Sequence, residues 1–262
     1  MPDMHSTTQV ERRQSGRNGY AYPALVPPDG VEPPDRLPAV IDRLRRFVSS
    51  PPRELVLAAD ESALLSHRRE VTVAFFDLRG FTAFSEGAEP EDVMAVLRDY
   101  HRAVGRLVED HGGMLERFAG DGIMAFFNDP VPVPDPQLRA VSLALAAQSA
   151  VAALAHRWRQ HGAALSLGVG VSHGFATVGL IGTEDRWDYA AIGSVTNLAS
   201  RLCGRAHAAE TLVCERVMAA VEGHVCAELV GSMHLRGFRH PHRVFRMRGL
   251  AAEPDGPASR RG

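Results

Sequence analysis

The sequence predicts an α+β fold in which amphipathic helices cover one β-sheet. An unbroken apolar, β-rich run at residues 71–76 is typical of a central strand. Apolar residues recur at helical spacing over residues 91–110, which indicates an amphipathic helix. A Gly-Asp-Gly turn at residues 120–122 separates two short apolar segments, as in a β-hairpin. This order predicts a βαββαβ, ferredoxin-like core with extra C-terminal strands and helices.

The elements follow one another with short connections. Glycines 112 and 113 end the first amphipathic helix. The pattern then predicts the two hairpin strands, a long helix, a second pair of strands and a further helix, at residues 114–118, 123–127, 136–160, 165–171, 176–181 and 194–204. Shorter elements are expected up to residue 246.

Composition divides the 262 residues into four predicted segments. Residues 1–37 are rich in proline, glycine and charge and are predicted to be disordered. Residues 38–69 are predicted to be a short helical connector, since apolar residues recur at helical spacing before Pro51 and Pro52. Residues 70–248 form the predicted main domain, and residues 249–262 a second disordered tail.

Charge and cysteine content narrow the class of protein. Lys plus Arg number 29 against 31 Asp plus Glu, so the sequence gives no electrostatic reason to expect nucleic acid or an anionic membrane as a partner. The three cysteines contain no CxxC pair, which argues against a disulfide framework or a zinc site. The Ala-rich run at residues 140–155 is shorter than the roughly 20 residues that span a bilayer, so a buried helix is predicted. A cytoplasmic location is expected.

Two aspartates are candidate ligands of a divalent cation. Asp77 ends the buried strand and precedes a glycine-containing turn, whereas Asp121 lies at the hairpin tip. Taken singly, each is more often a helix cap or a turn residue. In a βαββ unit, however, the strand end and the hairpin tip can meet, and two adjacent carboxylates repel unless a cation lies between them. Mg²⁺ suits such a site, and the backbone amides of residues 78–82 would lie where phosphates bind well.

Asn197 and Arg201 are a second candidate pair. Their spacing of four residues places both on one face of the predicted helix. An amide beside a guanidinium can orient a sugar oxygen and stabilise charge on a transferring phosphoryl group. An ordinary exposed polar face is the alternative.

Three segments together resemble the signature motifs of class III adenylate and guanylate cyclases. They read FDLRGFT at 76–82, FAGDGIMAFF at 118–127 and VTNLASRL at 195–202, in the order and at the spacing of that family. The similarity extends over residues 71–247, and LRGF at 235–238 resembles a late LKG-type segment of the family. The sequence is therefore identified as a member of this family, with the class III cyclase homology domain as its expected fold.

The resemblance implies an adenylate cyclase that converts ATP to 3′,5′-cyclic AMP and pyrophosphate with two Mg²⁺ or Mn²⁺ ions per active site. It assigns Asp77, Asp121 and the carbonyl of Leu78 to the metals, Asn197 to the ribose and Arg201 to the phosphoryl charge. It also implies a head-to-tail homodimer, because the metals and the Asn/Arg pair meet only across two chains in that family. Four further residues are expected to bind phosphate: Gly80, Phe81, Thr82 and Arg236.

The purine-binding positions depart from the family pattern. Arg117 stands where adenylate cyclases usually have Lys, and Ala190 stands where they usually have Asp or Thr. The Glu and Cys pair typical of guanylate cyclases is missing as well. Ala190 has no side-chain hydrogen bond to give, so selectivity between ATP and GTP stays open unless backbone groups or Tyr189 read the base.

Other functions are less well supported by the sequence. The residues after Gly113 do not resemble the GGDEF turn of diguanylate cyclases, and the strands lack the paired aromatics of RNA-binding ferredoxin-like domains. Two alternatives remain: a nucleotide-binding signalling module with weak or no turnover, and a cyclase with relaxed selectivity for ATP over GTP.

Overall fold

The computed structural model describes residues 65–183 and 186–251. The predicted disordered segment at 1–37, the connector up to residue 64 and the tail from residue 252 lie outside these ranges. Their boundaries therefore stay predictions.

Within the described residues the core is an eight-stranded β-sheet. The strands run in the order β2-β3-β1-β4-β6-β8-β7, with β5 paired to β4. Strands β4 and β6 are parallel, and the other neighbours are antiparallel. In chain order the strands are β1 His67–Arg79, β2 Met114–Ala119, β3 Gly122–Phe127, β4 Ser166–Gly182, β5 Trp187–Ile192, β6 Glu210–Cys214, β7 Val225–Met233 and β8 His242–Leu250.

Five α-helices accompany the sheet in the described ranges. They are α1 Phe81–Gly87, α2 Pro90–Asp110, α3 Pro136–Trp158, α4 Ser194–Arg205 and α5 Glu215–Val221, and a 3₁₀ turn follows α3 at Arg159–His161. The first six long elements give β1-α2-β2-β3-α3-β4, and their strand order of β2-β3-β1-β4 is that of the ferredoxin-like core. The predicted fold class is confirmed.

Alternation along the strands divides the core between the two faces of the sheet. On β1, Ala74, Phe76 and Leu78 belong to one buried cluster, which α2 and α3 cover. Val71 and Val73 belong to the other cluster, together with residues of β5 and α4. Helix α4 packs on β4 and β1. Because side chains on a strand alternate between faces, Asp77 and Arg79 point to the α4 side.

Helix α3 is the one described helix that is long and apolar enough to cross a bilayer, with a mean hydropathy of 1.6. Its position in the fold accounts for that composition. It packs against β1, β4 and α2, and it buries eight residues: Ala140, Val141, Leu143, Ala144, Ala147, Val151, Ala155 and Trp158. This agrees with the prediction of a buried helix over residues 140–155.

The predicted strand pair at 165–171 and 176–181 is wrong. The chain forms one continuous strand there, the 17-residue β4, whose hairpin partner β5 the sequence pattern does not predict. Polar Ser172 and His173 interrupt the apolar run, but both are bonded inside the fold. The Ser172 hydroxyl donates to the carbonyl of Val195 at 2.6 Å, and His173 Nδ1 lies 3.0 Å from the Thr72 hydroxyl oxygen. No turn is therefore needed between the two halves of β4.

Candidate active site

The end of β1 and the tip of the β2–β3 hairpin lie side by side. In the antiparallel register of β1 with β3, Asp77 lies opposite Gly122, the residue directly after Asp121. Backbone pairing therefore brings the two predicted metal ligands together, as the sequence argument expects.

The negative charges of the Asp77 and Asp121 carboxylates repel each other. Burial raises the pKa of Asp121, and the nearby charge of Asp77 raises it further. Hydrogen bonds to the backbone of Asp121 and Leu78 act in the opposite direction but do not cancel the increase. A divalent cation between the carboxylates would relieve this repulsion. The donor set fits Mg²⁺ or Mn²⁺, which bind carboxylates and keep positions for phosphate oxygens.

The described residues contain no group of three or more His, Cys, Asp or Glu side chains that could hold a metal ion by itself. Two carboxylates leave several coordination positions of a magnesium ion open. Backbone carbonyls, water and substrate phosphates would have to fill them, as is usual for Mg²⁺ in phosphoryl-transfer sites. The site is thus suited to a metal that arrives with its nucleotide.

The negative charges of Asp77 and Asp121 also act on Tyr100 of α2, which lies in the core. Its side chain is fully buried, and its hydroxyl has no hydrogen-bond partner among the described residues. Burial raises its pKa well above the ordinary value, and the negative charges of Asp77 and Asp121 contribute. The two carboxylates at this end of the sheet therefore act on the core as well as on each other, and the charge of Arg79 opposes their effect.

Gly80 makes the turn from β1 into α1. Its φ of 87° lies in the left-handed region that favours glycine, and a Cβ there would lie 3.0 Å from the carbonyl oxygen of Ala164. This turn puts Phe81 and Thr82 at the start of α1. Arg236 lies exposed between β7 and β8, after the buried Leu235. The phosphate-binding role of these four residues stays a prediction.

Helix α4 carries the second predicted pair. Asn197 and Arg201 are exposed and lie one turn apart, whereas Val195, Ala199 and Leu202 face the core. In the described part of the chain, no hydrogen bond or ion pair joins Asn197 or Arg201 to Asp77 or Asp121, the two predicted metal ligands. One chain therefore presents two separate halves of a site.

Arg79 is a site residue for which the sequence analysis gives no role. It forms an ion pair with Asp77 and donates to carbonyl oxygens at the end of α4. Arg79 follows Asp77 by two residues on the same strand. Because residues i and i+2 of a strand share a face, this spacing could have predicted that Arg79 lies beside Asp77.

The predicted base-reading positions, Arg117 and Ala190, lie around a residue that sequence reasoning missed. The β2–β3 register shifts between Leu115 and Arg117, which leaves Glu116 as a bulged residue. The Glu116 side chain is only 2% exposed, and it pairs with Arg117 at 2.5 Å. It also accepts the amide N–H of Ala191 at 3.2 Å. Burial raises the pKa of Glu116, an effect that Arg117 opposes.

These contacts link β2 to β5, the strands that carry Arg117 and Ala190. Arg117 is largely exposed but held by Glu116, whereas Ala190 is buried and offers no polar side-chain atom. The alternation of residues along a strand does not predict a bulge, so the sequence alone does not indicate a role for Glu116.

Tyr189 is not placed to read a base. Its side chain is buried, and its hydroxyl donates to the buried carboxylate of Asp129. Its ring stacks against Phe126 with a centroid separation of 6.5 Å. The alternative in which Tyr189 recognises adenine is therefore contradicted.

Comparison with known proteins agrees with this geometry. The family model described as the adenylate and guanylate cyclase catalytic domain matches residues 65–249. Adenylate cyclase 1 of Rhizobium meliloti is 34% identical over 168 residues, which are 62% of this chain and 25% of that protein. The adenylate cyclase of Anabaena cylindrica is 34% identical over 141 residues, 52% of this chain and 27% of that protein. The chain thus spans about a quarter of the length of these relatives.

Solved structures extend the comparison to the whole domain. The adenylyl cyclase CyaB from P. aeruginosa has a TM-score of 0.69 at 30% identity, covering 73% of this chain and 98% of that one. The guanylyl cyclase Cya2 has a TM-score of 0.67, also at 30% identity, covering 71% of this chain and 95% of that one. Paired aspartates at the sheet end, the exposed Asn/Arg pair on α4 and these matches lead to one conclusion: the chain belongs to the class III adenylate and guanylate cyclase family.

Proposed function

We propose that this chain is an adenylate cyclase that converts ATP to 3′,5′-cyclic AMP and pyrophosphate. The observation that carries the proposal is the meeting of Asp77 and Asp121 at one end of the sheet. The identity of 34% to two adenylate cyclases supports ATP as the substrate.

The reaction joins the ribose 3′ oxygen to the α-phosphorus and breaks the bond from that phosphorus to the bridging oxygen of pyrophosphate. The proton of the 3′-hydroxyl passes to solvent water. Bound Mg²⁺ or Mn²⁺ would neutralise the triphosphate and favour the deprotonated hydroxyl. Asp77 and Asp121 would hold the cations, with the carbonyl of Leu78 as a further ligand. Asn197 would orient the ribose, and Arg201 would donate to the oxygens on which charge develops.

A complete site needs a second copy of the chain under this proposal. Asp77 and Asp121 of one protomer would face Asn197 and Arg201 of its partner, and a two-fold homodimer would hold two such sites. Exposed apolar residues of β4 and β5 support an interface between copies. Phe175 of β4 and Ile192 of β5 are 46% and 52% exposed.

Relaxed base selectivity is the second candidate function, and Ala190 favours it. A buried alanine cannot hydrogen-bond a base edge, and a pocket without such a bond discriminates weakly. The adenylyl and guanylyl cyclases compared above are equally similar to this chain, at 30% identity each. Both cyclic AMP and cyclic GMP are then products to look for.

Assay of the purified full chain tests the proposal. The chain is incubated with ATP or with GTP in separate assays that contain Mn²⁺ or Mg²⁺. If the proposed reaction takes place, cyclic nucleotide and pyrophosphate form in equal amounts. Asp77→Asn is the matched inactive control, because it keeps the side-chain shape and removes the charge. Binding of nucleotide without any cyclic product would contradict the proposal and favour a silent signalling module.

A further inference from the structure

The guanidinium of Arg79 lies between the two halves of the site within one chain. It contacts the Asp77 carboxylate with Nη1. On its other side, Nε donates to the carbonyl of Ala206 at 2.8 Å, and Nη2 donates to the carbonyl of Cys203. We infer that Arg79 is a positioning residue that holds the metal-site carboxylate and helix α4 in a fixed relation. The inference rests on the proposed function and adds a coupling between its two half-sites.

The fold reserves space for this side chain. Gly168 lies opposite Asp77 on β4, and a Cβ at that position would overlap the Arg79 guanidinium. Gly170, two residues further along, lets the backbone of α4 approach the strand, since a Cβ there would overlap the amide nitrogen of Cys203. The side chain of Arg79 is 23% exposed, so most of it is enclosed between β4 and α4.

A cationic side chain stabilises a helix most at its C-terminal end, and Arg79 lies at that end of α4. The last carbonyls of a helix have no intrahelical partner, and they carry the negative end of the helix dipole. Arg79 donates to the carbonyl of Cys203, which also accepts the Ala206 amide, and to the carbonyl of Ala206, the residue directly after the helix. Arg201 lies only two residues before Cys203, so a shift of this last turn would move the predicted transition-state arginine. Cys203 itself is inert here, because burial raises the pKa of its thiol to about 12.

An arginine suits this position better than a lysine. Its planar fork presents donors in several fixed directions, whereas an ammonium group is a compact point charge on a flexible stem. One Arg79 side chain can therefore fix a carboxylate and two carbonyls at once. In a head-to-tail dimer the carboxylate serves one active site and α4 serves the other. Arg79 of each chain would then act on both sites.

Heterodimers separate the effect of Arg79 on helix α4 from its effect on the Asp77 carboxylate. A chain carrying Asp77→Ala is mixed with a chain carrying Arg201→Ala, so that the one intact site takes its metal ligands from the second chain and α4 from the first. Arg79→Met is then added to the Asp77→Ala chain. The carboxylate that Arg79 contacts is missing from that chain, and the intact site takes no metal ligand from it, so an effect on the intact site must pass through α4. We expect kcat to fall about 10- to 100-fold, the cost of a misplacement near 1 Å, at an unchanged Mn²⁺ requirement.

The reciprocal arm places Arg79→Met in the Arg201→Ala chain, which supplies the metal ligands. There we expect a higher Mn²⁺ concentration at half-maximal rate. Arg79→Lys should lower the rate in both arms, since it keeps the charge and loses the fork. Arg157→Met is the matched control: this arginine is 63% exposed and pairs with Asp99 on the surface. It should change neither rate nor Mn²⁺ requirement by more than about twofold.

Hydrogen exchange provides a readout that needs no dimer. In the full chain, Arg79→Met should speed amide exchange over residues 202–206, and Arg157→Met should not. A rate within twofold of the parent heterodimer in the first arm overturns the inference, as does unchanged exchange in this turn. If the parent mixture is inactive despite subunit exchange, the proposed head-to-tail assembly is wrong, and the exchange measurement still decides the role of Arg79.

Discussion

The predicted metal-binding end of β1 and the predicted base-reading end of β2 are built by different means. Asp77 and Asp121 meet because β1 and β3 pair in one register, which many backbone hydrogen bonds fix. Arg117 follows a bulge, and its side chain is held by the buried Glu116, whose Oε1 accepts from both Nε and Nη2. A register survives most single substitutions, whereas one carboxylate–guanidinium contact does not. We therefore expect the chemistry of this domain to be robust and its base selectivity to be easily altered.

Removing a metal-site carboxylate is the change with the largest expected effect. Asp77→Ala or Asp121→Ala should lower kcat/KM by roughly 10³-fold or more, because the cations supply several kcal/mol of charge stabilisation. Circular dichroism and Tm should change little, since both side chains lie at the sheet end outside the two core clusters. Asp99→Ala is the control, a surface carboxylate paired with Arg157. Near-normal activity of either site variant would disprove the metal assignment.

Rebuilding the base-reading end should have the next largest effect. We expect wild type to prefer ATP over GTP only weakly. The double change Ala190→Asp with Arg117→Lys should raise that preference by about 10- to 100-fold, the value of one good bidentate base contact of about 1–3 kcal/mol. The measurement is kcat/KM for both nucleotides in both proteins. A wild type that is already strongly selective would show that backbone groups read the base, and the double variant would then gain nothing.

The smallest expected effect comes from a carboxylate that has a cationic partner, in contrast to Asp121, which lies next to another carboxylate. Glu210 of β6 pairs with Arg246. Burial alone would raise the pKa of Glu210, but the amide of His207 and the charge of Arg246 outweigh it and lower the pKa below the ordinary value. Asp121, whose neighbour is another carboxylate, shows the opposite shift.

This contrast predicts a pH-dependent stability. A lowered folded-state pKa stabilises the fold above the ordinary pKa of Glu, and that contribution disappears as the pH falls through the folded-state value. Glu210→Gln should therefore cost about 1 kcal/mol in urea unfolding at pH 7, with the difference shrinking in acid. Glu215→Gln, in a half-exposed pair with Arg243, should cost less. A loss for Glu210→Gln that stays constant down to low pH would contradict the assignment.

Much of the fold and of the metal site follows from local patterns. An unbroken apolar run places β1, helical spacing places α2 and α3, and the Gly-Asp-Gly turn places the β2–β3 hairpin. The ferredoxin-like order then makes Asp77 and Asp121 neighbours. The spacing of Asn197 and Arg201 suffices to put both on one exposed face of α4. These features depend on residues close in sequence, or on a topology with few alternatives.

The remaining features depend on contacts that no local pattern records. The interior bonds of Ser172 and His173 let β4 run on where the apolar pattern stops. Glu116 becomes important only because a bulge turns it toward β5. Arg79 reaches carbonyls more than 120 residues away along the chain. Such long-range polar contacts need the assembled sheet before they can be seen.

Mixing two inactive chains tests the central claim, a site divided between the carboxylates of one protomer and α4 of its partner. Asp77→Ala and Arg201→Ala should each be nearly inactive alone. After subunit exchange, half of the dimers should be heterodimers with one intact site of two, which predicts about a quarter of the wild-type rate. Mass spectrometry of intact dimers, with one chain isotopically labelled, confirms that exchange has occurred. Heterodimers that form but make no cyclic nucleotide would contradict the account.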